Sequence, residues 1–476
     1  MSRKFALFTI LLLIMFPLAD AYAANWYVSK GASGSNDGAD WTNAWNEMNQ
    51  IVWGGSGVNA GDTVWLAAGS YATMLTPNAS GTSGNRIYIR AVLATDSVPT
   101  SAPGWQSSYA VQASPLQQVS MYVSGGNVPI AWISGTSGTG SYVTLDGRIP
   151  HGIYAYNDGS TTWAASLSMN TGNEGVVIQY CEFVGYCSTI GGNCTYPGGS
   201  SGTLVYVVGR TDLGYGTPDN IDINHCILRG APTLLELSAT NVTLEYNIWS
   251  DDMVTNSSTY HPTLIGGVDG CTSAGPCIFR YNTVYNWAAE GIMAYSATTP
   301  ATWYVYGNLF HDAFNYPGEE TARAWEPQYN AHTLYLYNNT FVNCYESTGA
   351  TGTNGGSYGS ASQSRNNISW NVNGPVATID DDYNFSNAAG VRGSHSISSA
   401  SNPFVNYSRQ NYQIIGTPGA TYPLGKGEAL SALSQANLYS TDIVGNAYAN
   451  PASMGAYEFI VTGLMPPARV WMITGQ

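Results

Sequence analysis

Three glutamates, one arginine and one histidine are the side chains of this sequence best suited to acid–base chemistry. They are Glu236, Glu290, Glu320, Arg323 and His261. Two carboxyl groups can share one hydrolysis, because one protonates a leaving oxygen while the other attacks or activates water. A neighbouring arginine could orient a hydroxyl or a carboxylate. These residue types therefore favour hydrolysis of a glycosidic bond, provided that the fold brings them together.

Four further residues are candidates for holding a substrate beside these groups. They are Tyr206, Tyr295, Trp325 and Glu326. Aromatic rings suit the apolar faces of sugars, but they equally suit stacks of side chains inside and outside a repeat protein. Any single acid could also belong to a solvated surface, and His261, which precedes Pro262, could simply cap a loop.

A sequence repeat between about Ile221 and Asn384 must supply the secondary-structure elements that position these residues. In each copy an alternation of apolar and polar residues runs into Asn or Cys, and a second short alternation follows. The marker residues are Cys181, Cys226, Asn247, Asn282, Asn308, Asn339, Asn367 and Asn384. Their uneven spacing indicates a repeat with loops of variable length.

A short strand with one apolar face cannot bury that face alone, so its copies must stack on one another. We therefore predict an all-β parallel β-helix, with rungs about 4.8 Å apart. The marker Asn is expected to adopt the left-handed backbone angles of a turn and to hydrogen-bond to the Asn of the next rung. A β-sandwich is the alternative, but it gives no reason for Asn at the same strand end in successive copies.

The marker should end the second of three strands in each rung. The first strands are then predicted at Thr233–Ala239, Thr263–Gly267, Gly291–Ser296 and Ala322–Gln328. Alternation within these strands predicts that Glu236, Arg323 and Trp325 point outward. Neighbouring rungs would bring the other candidate residues to the same face.

The first 23 residues have the pattern of an export signal. Arg3 and Lys4 precede an apolar run from Phe5 to Leu18, and Ala21-Tyr22-Ala23 forms a small-residue cleavage site. The apolar run is too short to span a bilayer. We therefore expect a secreted, extracellular or surface protein without membrane insertion, and a monomer.

Charge limits the classes of partner. The whole chain carries a formal net charge of −15, and Lys30 and Lys426 are the only lysines beyond the export signal. Such a surface repels nucleic acid and anionic lipid. A polysaccharide or cell-surface glycan is the expected partner.

The seven cysteines all follow the export signal, so disulfides are plausible in an oxidising compartment. Cys271 and Cys277 flank a short loop and are predicted to be bridged, and Cys187 and Cys194 could clip a second loop. No metal site is predicted, since no His stands at ligand spacing from these cysteines. No cofactor is required. Ca²⁺ could bind the run Asp380-Asp381-Asp382, although a solvated acidic turn is the simpler interpretation.

Both ends of the chain resemble a known family. The opening segments are Trp26-Tyr27-Val28-Ser29, Gly61-Asp62-Thr63-Val64 and Ala68-Gly69-Ser70-Tyr71, and the closing ones include Asn402-Pro403-Phe404-Val405-Asn406 and Met454-Gly455-Ala456-Tyr457-Glu458. They resemble secreted bacterial right-handed parallel β-helix proteins of the pectate-lyase-like superfamily. The resemblance implies a right-handed solenoid capped by a first helix, here predicted at Trp41–Met48 from its apolar spacing.

The predicted layout is one long domain. It comprises an export signal at 1–23, a β-helix at 24–460 and a tail at 461–476. The β-helix divides into an opening strand and cap at 24–91, regular rungs at 176–385 and a closing segment at 400–460. We expect no second domain, because the pieces after 385 lack a core of their own.

In enzymes of that superfamily the active cleft follows the first strand and the loop entering it, which implies the same location here. The sequence departs from two familiar chemistries, however. Pectate lyases need a Lys or Arg base, and because lysine is absent from the predicted rungs only Arg280 or Arg323 could serve. The motifs of polygalacturonases do not occur, Ser250-Asp251-Asp252 being the nearest approach. A hydrolase is therefore favoured over a lyase. A non-catalytic adhesin or structural solenoid of a cell surface or matrix is the alternative.

Overall fold

The computed structural model describes sixteen stretches of the chain. They are residues 23–125, 128–132, 139–157, 165–186, 202–209, 216–252, 262–267, 270–288, 290–295, 299–313, 323–345, 356–372, 380–388, 393–416, 419–433 and 440–458. The predicted export signal, apart from Ala23, and the tail lie outside the described residues. So do His261, Glu320, Cys187 and Cys194.

Three long sheets of parallel strands form the body of the molecule, and we number them by their order within a rung. Sheet 1 contains β8 (Ile130–Trp132), β11 (Leu167–Met169), β14 (Thr203–Val208), β17 (Thr233–Ser238), β20 (Thr263–Gly267), β23 (Glu290–Tyr295) and β26 (Arg323–Gln328). Sheet 2 contains β1 (Asn25–Val28), β2 (Thr63–Leu66), β4 (Ile87–Ala91), β9 (Val143–Asp146), β12 (Val177–Gln179), β15 (Asp219–Asn224), β18 (Thr240–Glu245), β21 (Cys277–Arg280), β24 (Thr302–Tyr306), β27 (Ala331–Tyr337), β29 (Ser357–Tyr358), β30 (Gln363–Arg365) and β32 (Asp380–Asp382).

Sheet 3 completes each rung. It contains β3 (Gly69–Tyr71), β7 (Val119–Tyr122), β10 (Ile153–Tyr156), β13 (Cys181–Val184), β16 (Ile227–Ala231), β19 (Ile248–Asp252), β22 (Thr283–Tyr285), β25 (Leu309–His311), β28 (Thr340–Val342), β31 (Ile368–Trp370), β33 (Phe385–Ser386) and β34 (Ile397–Ser398). Two antiparallel hairpins, β5 (Gln112–Ala113) with β6 (Leu116–Gln117) and β35 (Phe404–Asn406) with β36 (Asn411–Ile414), stand apart from these sheets.

Each rung passes from sheet 1 to sheet 2 to sheet 3 and then returns to sheet 1, as β17, β18, β19 and β20 illustrate. Strands of successive rungs pair in parallel, for example Leu235 with Ile265 and Ile265 with Ile292. A sandwich of antiparallel sheets has no such pairing, so that alternative is wrong. The sheets fit the predicted right-handed parallel β-helix, and the four predicted first strands coincide with β17, β20, β23 and β26 to within one or two residues.

The marker residues form the predicted ladder at the corner between sheets 2 and 3. Asn308 accepts the Asn282 backbone N–H at 2.8 Å, and its own amide donates to the Asn339 side-chain oxygen at 2.9 Å. The same contacts run from Asn282 to Asn384, where the Asn384 backbone N–H donates to Ser396 Oγ at 3.0 Å.

One part of the ladder prediction is wrong. The left-handed backbone angles belong to the residue before each marker, such as Tyr246 (φ 54°), Tyr281 (φ 56°) and Asn338 (φ 52°), and not to the marker Asn. The chain bends one residue early, so the marker side chain points into the helix. There its amide also reaches backbone carbonyls, as Asn308 reaches Phe279 O at 2.8 Å.

The predicted helix at Trp41–Met48 is also wrong. Only a 3-10 helix at Met48–Gln50 forms there, because tertiary contacts outweigh the apolar spacing. Trp45 pairs with Val28 of β1, donating its backbone N–H to Tyr27 O at 2.9 Å and accepting from Ser29 N–H at 2.8 Å. The segment thus covers the first strand of sheet 2 as an extended edge.

The remaining helices are short. An unpredicted α-helix, α1, spans Ser97–Ser101, and further 3-10 turns lie at Ser107–Tyr109, Tyr407–Arg409 and Leu430–Ala432. Within the described ranges no helix is long and apolar enough to cross a bilayer. The predicted disulfide between Cys271 and Cys277 is present, with their Cα atoms 4.9 Å apart.

The segment after residue 400 folds back over the later rungs. Phe404, Tyr412 and Ile414 of the second hairpin pack on the outer side of sheet 3 with Trp370 and Phe385. Further along the chain, Ser453 O accepts from the Asn338 amide at 2.9 Å, and Ala456 N–H donates to Thr340 Oγ1 at 2.9 Å. The three sheets also stop at different heights, since among the described strands sheet 1 ends at β26 while sheets 2 and 3 continue.

Candidate functional site

The outward face of sheet 1 carries several of the predicted residues. Strand register aligns one outward column, which runs Tyr206, Glu236, Gly266, Met293 and Glu326. Tyr206 and Glu236 are half-buried, and Glu326 is fully buried. The prediction that Glu236 faces outward is therefore confirmed, and Tyr206 and Glu326 share its face.

Glu236 lies in a polar but partly dehydrated position. Its Oε2 accepts a hydrogen bond from Thr203 Oγ1 at 3.1 Å. Burial raises the pKa of this carboxyl above its ordinary value, and the hydrogen bond from Thr203 offsets only part of that rise. A carboxyl with a raised pKa stays protonated to higher pH, so it is better suited to act as a proton donor.

Arg323 binds one further carboxyl group, and a second lies on the adjacent strand, at the neighbouring end of the sheet. Its Nη1 donates to Glu326 Oε2 at 2.8 Å, and its backbone stands beside Glu290 in the register of β23 and β26. Glu290 and Glu326 are each at most 1% exposed. The half-buried guanidinium thus holds one buried acid by a charged hydrogen bond, which is a strong contact, and stands on the strand next to a second buried acid.

Glu236 does not join this group. It lies three strands from Glu326 in the same column, which is about 14 Å of backbone at the usual strand spacing. That separation exceeds the carboxyl distances of both retaining and inverting glycosidases, about 5 to 9.5 Å. Glu290 and Glu326 lie on adjacent strands, three residues apart in register, with Arg323 beside Glu290 and bonded to Glu326.

Asp252 is a buried acid that is not among the predicted site residues. It ends β19, is 2% exposed, and occupies the slot of Ala231 one rung earlier. Its Oδ1 accepts the Ala288 backbone N–H at 2.7 Å, whereas its Oδ2 has no hydrogen-bond partner among the described residues. Burial raises the pKa of Asp252 well above its ordinary value, and the negative charges of Asp251 and Glu290 raise it further.

Only the near-match Ser250-Asp251-Asp252 pointed to this residue in the sequence. Simple alternation along the strand could not place its side chain, because Asp251 takes left-handed angles (φ 56°) and resets the alternation. Asp252 consequently faces the interior beside Glu290, at the corner where sheet 3 leads into sheet 1.

The prediction that Trp325 points outward is wrong. Its register partner is Ile292, in the inward column that begins with Leu235 and Ile265, and it packs edge-on against Trp303 with ring centroids 5.4 Å apart. Ala324 and Trp325 both face inward, so the alternation skips a residue between Arg323 and Glu326. Tyr295 aligns with Gln328, but its side chain lies outside the described atoms.

The acidic run Asp380-Asp381-Asp382 does not offer converging ligands for Ca²⁺. The run forms strand β32, in which side chains alternate in direction. Asp381 therefore faces inward and contacts Asn384, while Asp380 and Asp382 face the other way. Asp380 contacts Arg365 at 2.5 Å, and Asp382 contacts His395 at 2.7 Å. Across the described ranges, no three His, Cys, Asp or Glu residues are grouped as metal ligands would be.

No protein-family model matches the chain, and no curated protein matches it by sequence. Among solved structures, pectate lyase Pel9A is 12% identical, with 91% of this chain and 96% of that chain covered at a TM-score of 0.49. A rhamnogalacturonan lyase is 12% identical, with 84% of this chain and 96% of that chain covered at a TM-score of 0.40. A lacto-N-biosidase from Eubacterium ramulus is 12% identical, with 76% of this chain and 63% of that chain covered at a TM-score of 0.35. At this level these likenesses assign no activity, and the β-helix rests on the strand pairing of this chain.

Proposed function

We propose that the protein binds an extracellular polysaccharide along the outward face of sheet 1 and hydrolyses it at the corner formed by Asp252, Glu290, Arg323 and Glu326. One observation carries the proposal. Two carboxyl groups, each at most 1% exposed, accompany one guanidinium there: Glu326 by a direct hydrogen bond and Glu290 by strand register, with the buried Asp252 near Glu290. Buried acids are costly to fold, so their concentration at one place favours a catalytic purpose.

The roles follow from the contacts. Glu326 accepts an N–H of Arg323, so it is the carboxylate that attacks the sugar or activates water. Glu290 is the proton donor to the leaving oxygen, with the buried Asp252 as its neighbour. Tyr206 and Glu236 lie further along the same column and would contact sugar units remote from the cleaved bond.

Hydrolysis is favoured over elimination because a lyase needs a base that can remove a carbon-bound proton. Among the described residues, Arg323 is the arginine that contacts these acids, and it is engaged with Glu326. Lys30 and Lys426, the only lysines beyond the export signal, do not belong to any strand of sheet 1.

A panel of neutral and acidic polysaccharides assayed for released reducing ends tests the proposal. Glu290→Gln and Glu326→Gln should each lower kcat/KM by at least about 100-fold, as expected for the loss of an acid or a nucleophile. Glu245→Gln is the matched control, because Glu245 forms a similar ion pair with Arg280 at 2.5 Å on sheet 2.

Equal activity of wild type and Glu290→Gln would remove Glu290 from the site. Products that carry an unsaturated sugar end would show that the reaction is an elimination and not a hydrolysis. Glycan binding by wild type without any cleavage would instead support the adhesive or matrix role.

A further inference from the structure

The outer side of sheet 3 carries a second polar and aromatic cluster. It consists of Tyr122, His151, Tyr154, Tyr156, Glu182 and Arg229. These residues belong to rungs β7 to β16, whereas the hairpin of β35 and β36 covers the same sheet only from about β25 onward. The cluster therefore lies on a stretch of sheet 3 beyond that hairpin.

Glu182 is the centre of the cluster. Its side chain is only 6% exposed, and its two oxygens have different partners: His151 Nδ1 lies 2.6 Å from Oε2, and Arg229 Nη2 lies 2.8 Å from Oε1. Burial alone would raise the pKa of Glu182, but His151 and Arg229 together lower it. The carboxylate is therefore ionised and holds both partners in fixed orientations.

The partners themselves remain accessible. The His151 side chain is 40% exposed and the Arg229 side chain 39% exposed. Since Nδ1 of His151 faces Glu182, its Nε2 is the ring nitrogen left for a ligand. Donors that are already ordered lose little conformational freedom when a ligand binds.

Tyrosine rings continue the cluster along neighbouring rungs. Tyr122 and Tyr156 align in register, and their ring centroids are 5.5 Å apart. Tyr122 is 38% exposed, and Tyr154 aligns directly with Glu182. The result is a strip of apolar ring surface beside fixed hydrogen-bonding groups.

We propose that this strip is a second glycan-binding surface, specific for neutral polysaccharide and separate from the site on sheet 1. Two arguments select that ligand. The charges of Glu182 and Arg229 cancel within the strip, and the chain as a whole is strongly acidic, so an anionic polymer gains nothing there. Ring faces next to ordered polar groups suit a sugar, which has an apolar face and a rim of hydroxyls.

Affinity electrophoresis in native gels containing xylan, β-glucan, mannan or galactan tests the proposal, with polygalacturonate and alginate as acidic probes. Wild type should be retarded by at least one neutral glycan. Tyr122→Ala should weaken the apparent affinity at least about fivefold, and the double variant with Tyr156→Ala should weaken it further. Tyr422→Ala, at a half-buried tyrosine of the closing segment, is the matched control and should bind as wild type does.

His151→Asn provides a second probe that leaves the tyrosines in place, and it should also weaken retardation. Unchanged retardation of the double tyrosine variant would overturn the proposal, as would retardation by the acidic probes alone or by none of the neutral ones. The test is independent of catalysis. Glu245→Gln, on sheet 2 and outside both sites, should bind the gel and cleave a short soluble oligosaccharide as wild type does.

Discussion

The two corners at the ends of sheet 3 are built in opposite ways. At the corner with sheet 2, the side-chain amides of Asn282, Asn308 and Asn339 each donate to backbone carbonyls and to the next Asn. At the corner with sheet 1, Asp252 Oδ2 and the indole N–H group of Trp287 are buried without hydrogen-bond partners among the described residues. The corner with sheet 2 therefore stabilises the solenoid. The corner with sheet 1 contains buried, unpaired polar groups, which lower stability and are typical of functional sites.

The largest expected effect comes from breaking the Asn ladder. Asn308→Ala removes the acceptor of the Asn282 backbone N–H and the donor to Phe279 O, leaving buried groups unpaired. We expect a loss of about 3 kcal/mol in the free energy of unfolding, measured by guanidinium titration. Asn286→Gly, at the opposite corner, removes one 3.3 Å contact to Asp251 at a left-handed position and should change stability by less than about 1 kcal/mol. Equal losses in the two variants would abolish the contrast between the corners.

A smaller effect of opposite sign is expected from Asp252→Asn. Because the pKa of Asp252 is raised in the folded protein, folding opposes its ionisation. Wild-type stability should therefore fall as the pH rises above the unfolded value of about 3.9. Asn cannot ionise, so the variant should be about 1 kcal/mol more stable at pH 7 and no more stable near pH 3. Its hydrolytic activity should be reduced. A variant that is destabilised at neutral pH would show that the carboxylate is satisfied there.

The smallest effect concerns the third corner, between sheets 1 and 2. His332 is fully buried, accepts the Ala301 backbone N–H on Nδ1 at 2.9 Å and stands 2.8 Å from Gln328 O through Nε2. Burial lowers its pKa, so the neutral ring stabilises the fold above about pH 6.5 and this contribution is lost as the pH falls. Thermal midpoints of His332→Gln should therefore decline less between pH 7.5 and 5.5 than those of wild type. Parallel declines would mean that His332 does not titrate with folding.

The ladder was predictable because its chemistry is local and repeated. Asn at the end of successive strands, as at Asn282 and Asn308, gives both the stacking of the rungs and the order of the three strands. The outward positions of Glu236 and Arg323 followed from alternation once that order was known. The disulfide between Cys271 and Cys277 followed from the shortness of its loop.

The remaining features depend on where the backbone departs from regular alternation. Two adjacent inward residues, Ala324 and Trp325, reversed the expected direction of the tryptophan. A left-handed Asp251 turned Asp252 into the interior. His151 and Glu182 are 31 residues apart, and only the register of β10 and β13 brings them together. Residue spacing along the chain contains none of this information.

The unequal heights of the three sheets bear on self-association. A β-helix whose sheets all ended on one level would present a flat face of unpaired N–H and C=O groups, on which a second molecule could continue the winding. Here the described part of sheet 1 stops at β26, and sheets 2 and 3 rise beyond it to β32 and β34. A second copy could therefore not pair with all three of these described edges at once. Asn384, the last Asn of the ladder, donates its backbone N–H to the hydroxyl of Ser396, which takes the place of a further Asn amide. We expect this stepped end to oppose fibre growth.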